Sequence, residues 1–150
     1  MSEQEFREAL CEEAITWLGT PYRSSGRLKG VGVNCAMFLY LVGKVANALP
    51  ANAPEPGWYT PQFAQNNKEE RLINYLEAYG AREIDRDSML PGDVIAYKTG
   101  KSHGHVALCL GMPQIIHCTV PFGCELGMWE DGKLKQFGKK FFTFWRSDET

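Results

Sequence analysis

The sequence predicts an α+β fold in which helices come first and an antiparallel sheet follows. Two observations carry that prediction. Before Gly80 the apolar residues recur at helical spacing in three segments, and after it they fall into short runs with strand-like patterning. Turn signals at Pro91-Gly92 and Gly111-Met112-Pro113 then separate apolar runs that can fold back on one another. The length of 150 residues fits one domain, residues 1–150. Area scaling gives roughly 69% of the unfolded surface buried, which is core enough to need neither disulfide nor metal.

Glu3 to Trp17 reads as the first helix, with Phe6, Leu10, Ala14 and Trp17 on one face and Glu and Arg between them. Gly19 and Pro21 end it. Ser24 to Asn34 is a loop containing Gly26, Gly30 and Gly32. A second helix opens at Asn34 or Cys35 and runs to about Ala48, with Asn34 a suitable N-cap. Its residues Ala36 to Val42 are apolar on all sides, which predicts burial on most faces. Pro50 to Pro61, with four prolines and Gly57, is a surface loop. Glu69 to Tyr79 is an amphipathic helix presenting Leu72, Tyr75, Leu76 and Tyr79. Asp93–Thr99, His105–Leu110, Gln114–Thr119 and Lys140–Arg146 read as strands. The four lysines of 133–140 read as a solvated hairpin edge.

Composition excludes several classes. With 44% hydrophobic and 23% charged residues the chain is an ordinary globular one. A net charge of −2 argues against a nucleic-acid binder. Ala36 to Val42, the longest apolar stretch, is too short to span a bilayer, so no membrane partner is expected. Met1 to Glu8 is polar and acidic, unlike a secretory signal. The expectation is cytoplasmic synthesis, with any export by a route that needs no cleaved signal. The five cysteines include no Cys-x-x-Cys pair and read as reduced thiols, most of them buried and inert.

Cys35 is the exception. A Gly-rich loop delivers it to a helix N-terminus, where the free N–H groups and the dipole favour an anion. The plain alternative is a buried core thiol. His105 and His117 sit on two strands that pair through the turn at 111–113. With the hairpin centred on Gly111 or on Met112 they share one face, directly or diagonally adjacent. A thiol nucleophile needs a base, and the base needs an orienting group, so one Cys and two neighbouring His supply all three parts. Structural hydrogen bonding is the plain reading of the His pair. A zinc site is the third reading, but close ligand pairs of the usual kind are missing, so no metal and no cofactor are expected. His103, in Gly-Lys-Ser-His-Gly, reads as a solvated loop residue. Trp58, Tyr59, Phe122 and Trp129 read as packing under long loops, with stacking on sugar or peptide the functional alternative.

Four blocks, in order, resemble the NlpC/P60 cysteine peptidases of bacterial cell walls. They are Trp17-Leu18-Gly19-Thr20-Pro21-Tyr22-Arg23, Asn34-Cys35-Ala36-Met37-Phe38, Leu90-Pro91-Gly92-Asp93-Val94, and His105 to Gly111 followed by Ile115-Ile116-His117-Cys118. The resemblance spans about residues 6–146, and the segment 50–61 with the helix after it looks like the phage-tail-associated branch. It implies a papain-like α+β fold and a peptidase acting on peptidoglycan stem peptides. Cys35 would be the nucleophile, His105 the base and acid, and His117 the orienting residue. Tyr22 would lie beside the nucleophile, or else pack in the turn after Pro21. Asn34 and Ala36 replace an Asp and a Ser that help bind a substrate amino group, and Asn34 also suits a capping role. Delivery to the wall by a phage tail or a secretion machine fits the same resemblance. The competing readings are an acyltransferase or thioesterase on this fold, and an inactive structural subunit of a tail.

Overall fold

The computed structural model describes residues 1–146. Helix α1 spans Glu3–Ile15 and starts in a capping box, in which the Ser2 hydroxyl accepts from the Glu5 N–H and the Glu5 carboxylate accepts from the Ser2 N–H. A small hairpin follows, β1 (Arg27–Leu28) and β2 (Gly32–Val33). Helix α2 spans Cys35–Val45 and is buried on almost every face. It stops before Ala48 because Asn47 turns left-handed (φ 61°) and the Ala48 N–H bonds back to the Gly43 carbonyl. A one-turn helix α3 (Phe63–Asn66) and α4 (Arg71–Ala78) complete the helical half.

The strands are β3 (Arg82–Ile84), β4 (Val94–Lys98), β5 (His103–Gly111), β6 (Gln114–Thr119), β7 (Gly123–Met128) and β8 (Gly138–Thr143). They form one antiparallel sheet in the order β3-β8-β4-β5-β6-β7. The α+β class and the central antiparallel sheet are therefore as the sequence indicates. The sequence reading omits β3 and β7, the two edge strands. β3 has three residues, and β7 carries two glycines and is half exposed, so neither shows a strand's apolar signal.

Alternation along the strands separates two cores. Val94, Ala96, Val106, Leu108 and Ile116 face α1, α2 and α4. Ile95, Tyr97, Ala107, Cys109 and Ile115 face the other way, under Trp129, Leu134, Phe137 and Phe141. That second layer corrects the solvated-edge reading of 133–140. Leu134 and Phe137 cap the sheet, and the Lys139 ammonium lies over the rings of Tyr97 (5.7 Å) and Trp129 (5.5 Å). Lys133, Lys135 and Lys140 remain exposed. Among the described residues no helix is long and apolar enough to cross a membrane.

Candidate active site

Cys35 is the first residue of α2 and is 3% exposed. Asn34 places it there. The Asn34 Oδ1 accepts from the Met37 N–H at 2.8 Å and its Nδ2 donates to the Ser24 carbonyl at 2.8 Å. Both ends of that amide are committed to the backbone, and the side chain is buried. Ala36 is buried in the helix-side core. Neither residue is among those lining the cavity that Cys35 reaches: Asn34 caps the helix and Ala36 packs in the core.

The cavity holds about 850 Å³ and is lined by Tyr22, Cys35, His105, His117, Glu125 and Phe122, among others. Tyr22 reaches it from a segment fixed at both ends. The Cys124 N–H bonds to the Thr20 carbonyl (2.9 Å), and the Val33 N–H bonds to the Pro21 carbonyl (3.0 Å). A Cβ on Gly123 would collide with the Thr20 carbonyl, so this close approach of β7 requires glycine there.

The histidines come from neighbouring strands. Leu108 faces Ile116 and Cys109 faces Ile115, the register centred on Met112, which sets His105 and His117 diagonally. Their rings lie 5.0 Å apart at 62°, and His105 Nε2 is 2.8 Å from His117 Nδ1. This bond assigns the tautomers if His105 is to accept a proton. Its Nδ1 must be free, so Nε2–H donates to His117 Nδ1, and His117 carries its proton on Nε2. That Nε2 is 4.0 Å from the Glu125 carboxylate, and Glu125 is the direct cross-strand partner of His117. Glu125 escapes sequence reading because the strand carrying it does.

Tyr59, which reads from sequence as packing under a long loop, is the other residue whose place at the site is missed. Its hydroxyl lies 3.3 Å from Cys35 Sγ and accepts from the Ala36 N–H at 3.2 Å. Only tertiary folding brings the Pro-rich loop to the thiol, so the sequence carries no signal for it. Among the described residues no hydrogen bond joins Cys35 to His105. His103 is not solvated as expected. It is 5% exposed at the start of β5, where Glu70 binds both its backbone N–H and its Nδ1 at 2.8 Å.

Burial dominates the electrostatics. It pushes the Cys35 thiol up, against opposing hydrogen bonds from Tyr59 and from the backbone at Val106 and Ala36. The expectation of a thiol more acidic than a free one is thus reversed at rest, because burial outweighs the helix terminus. Burial, with His117 second, pushes His105 down to about 3. His117 is lowered by burial too, against the pull of Glu125 and Asp131. Cys35 and the two imidazoles therefore rest uncharged. This has a measurable consequence. An unfolded His takes up its proton near 6.5, whereas His105 in the fold does so only near 3. Stability should therefore fall as pH drops through that window, by up to about 1.4 kcal/mol per unit for this one group. Urea midpoints at pH 7 and pH 5 should differ accordingly, and His105→Gln should flatten the difference.

All five cysteines are free thiols, and among the described residues no cluster of three or more His, Cys, Asp or Glu is placed to hold a metal ion.

Comparison with known proteins places this geometry. The model of the NlpC/P60 family matches residues 19–125. An Escherichia coli protein named as a probable endopeptidase NlpC is 28% identical over 116 residues, which are 76% of this chain and 62% of that one, so the chain spans less than two thirds of that relative. The NlpC/p60 domain of the peptidoglycan hydrolase SagA superposes with a TM-score of 0.58 at 21% identity, covering 91% of this chain and 97% of that one. RipD of Mycobacterium tuberculosis, described as a non-catalytic NlpC/p60 domain protein adapted to peptidoglycan binding, superposes at 0.54 with 13% identity, covering 91% and 95%.

Proposed function

The chain belongs to the NlpC/P60 family, and on that premise we propose that it is a cysteine peptidase that hydrolyses peptide bonds in peptidoglycan stem peptides. One observation carries the proposal: a thiol at a helix N-terminus opens into the same cavity as a histidine whose far nitrogen is held by a second histidine. In the proposed reaction Cys35 Sγ attacks the carbonyl carbon as its proton passes to His105 Nδ1. The Cys35 N–H, at the free end of α2, donates to the oxyanion. His105 then protonates the leaving amine and afterwards takes a proton from the water that releases the acyl group. His117 holds the His105 ring, and Glu125 faces the imidazolium relay from behind. Tyr22, on the cavity wall, is placed for substrate contact. The name of the E. coli relative, a probable endopeptidase, supports the reaction, and that of SagA, a peptidoglycan hydrolase, the substrate class. The finer reading is an enzyme made in the cytoplasm and delivered by a phage tail or a secretion machine; the phage-tail part of it rests on the sequence resemblance of segment 50–61 and the helix after it alone.

A second reading is peptidoglycan binding without cleavage. The near-complete burial of Cys35 favours it, and RipD gives it a precedent. Incubation with stem peptides and mass spectrometry of the products decides between them. A product made by the wild type and absent with Cys35→Ala supports the peptidase and locates the bond. Retention of intact peptides by both proteins, with no product, supports the binding reading.

A further inference from the structure

We propose that Tyr59 is a further catalytic residue, whose hydroxyl donates a hydrogen bond to Cys35 Sγ and stabilises the negative charge that develops there as the thiol loses its proton. The inference rests on Cys35 being the nucleophile.

The hydrogen-bond accounting sets the direction. The Tyr59 oxygen accepts from the Ala36 N–H, and its other polar neighbour is Cys35 Sγ. If the hydroxyl also accepted from the thiol, its own proton would be left without a partner in a site where Tyr59 is 2% exposed. Donation to sulfur leaves only the thiol proton, the weakest donor of the three, without a partner. Once the thiol has lost its proton the ambiguity disappears, because a thiolate can only accept, and a bond to a charged acceptor is the stronger kind. The phenol stays a donor throughout, since burial raises it well above the usual tyrosine range. Among the groups that counter the burial of Cys35, the Tyr59 hydroxyl is the largest.

Two further features separate a fixed donor from a lid. First, the hydroxyl is held in place. The Tyr59 ring packs edge-on against Phe63 (centroids 5.0 Å apart) with the Arg71 guanidinium 5.6 Å from it. The chain on its N-terminal side is tied to α4, where Arg71 Nη2 donates to the Trp58 carbonyl (3.0 Å) and the Gly57 N–H donates to the Tyr75 hydroxyl (2.8 Å). Second, Tyr59 is not among the residues lining the cavity, whereas Cys35 is. The cavity reaches the thiol past Pro61 and Gln62 on one wall and β6 and β7 on another, without Tyr59 in its lining, so catalysis does not require Tyr59 to leave. When the sulfur–carbon bond forms, charge moves from sulfur to the carbonyl oxygen, and the Tyr59 bond weakens as its work is done.

Tyr59→Phe removes only the hydroxyl. The readout is the pH dependence of Cys35 alkylation by iodoacetamide, followed at that site by peptide mass spectrometry. The expected result is an apparent thiol pKa raised by about one unit and alkylation about tenfold slower at pH 7. An unchanged profile would reduce Tyr59 to packing, and faster alkylation would make it a lid; either overturns the proposal. Arg71→Met, which frees the loop but keeps the hydroxyl, gives the same discrimination if Tyr59→Phe does not fold: slower alkylation supports the donor, and faster or equal alkylation sinks it. Because alkylation needs no peptide substrate, a raised pKa in a protein that cleaves no stem peptide would leave this inference standing and remove only the substrate assignment.

Discussion

Arg7→Met should destabilise the fold by about 3–5 kcal/mol, one of the larger losses open to a single substitution here. Arg7 lies on α1, far in sequence from its partner Asp93, whose side chain is 1% exposed. The Asp93 carboxylate accepts from Arg7 Nη1 at 2.7 Å and from the Leu90 N–H at 2.9 Å. Arg7 also donates to the Pro91 carbonyl at 3.1 Å and pairs with Glu3. The ion pair thus ties the first helix to the turn that launches β4, which lies between β8 and β5 in the sheet. Methionine keeps the stem's packing and removes the cation, leaving one backbone donor on a carboxylate out of water. Against a total of about 5–15 kcal/mol, the loss should lower the urea midpoint sharply with little change in slope. Arg7→Met combined with Asp93→Leu should recover much of it, because the cost lies in the stranded charge rather than in the absent pair. A double variant no more stable than Arg7→Met alone would place the cost in lost packing instead.

The same contact shows what kind of information the sequence holds. Helix α2 is legible because its signals are local: an Asn at the cap, then an unbroken apolar run. β6 is legible to the residue, since Gln114–Thr119 is a short run that follows a clear turn. The histidine pairing follows from a hairpin whose centre is known to within one residue. The functional contacts that escape are those made across the fold. Tyr59 approaches Cys35 from a loop of prolines, and Glu125 approaches His117 from an edge strand that reads as coil. His103 looks solvated because glycines flank it, yet Glu70, a long way off in sequence, covers it. Arg7 is one charge among several on a helix that looks simply amphipathic. The sign of the Cys35 shift belongs with these. The helix terminus that favours a thiolate can be read from Asn34-Cys35, but the burial that opposes it depends on what the other segments stack against the sulfur.

His105→Ala should lower kcat on the cleaved stem peptide by about 10⁴-fold, His117→Ala by about 10²-fold and Glu125→Gln by less than about tenfold. The ordering follows from what each group touches. His105 shares the cavity with Cys35, and in the proposed reaction it both takes the thiol proton and returns it to the leaving amine, so nothing replaces it. In the proposed reaction His117, although on the cavity wall, acts through the 2.8 Å bond to His105 Nε2. Its removal lets the ring turn and leaves the imidazolium without an acceptor, but the base itself remains. Glu125 is 4.0 Å from His117, about two-fifths exposed, and acts at one remove more, where solvent screens it. A positioning role for His117 also predicts a signature beyond rate. With the acceptor gone, the His105 ring is no longer held toward the thiol, so the Cys35 alkylation profile should change more in His117→Ala than in Glu125→Gln. His117→Asn, which retains a side-chain oxygen able to accept from His105 Nε2, should restore part of both the rate and the profile. Equal losses for all three substitutions would instead mark the strand pair as a scaffold whose collapse, rather than its chemistry, is being measured. Wild-type turnover in His105→Ala would remove the histidine from the mechanism altogether, whereas no turnover by any of the proteins would return the site to the binding reading, where a buried thiol and a neutral imidazole pair need only hold a wall for the cavity.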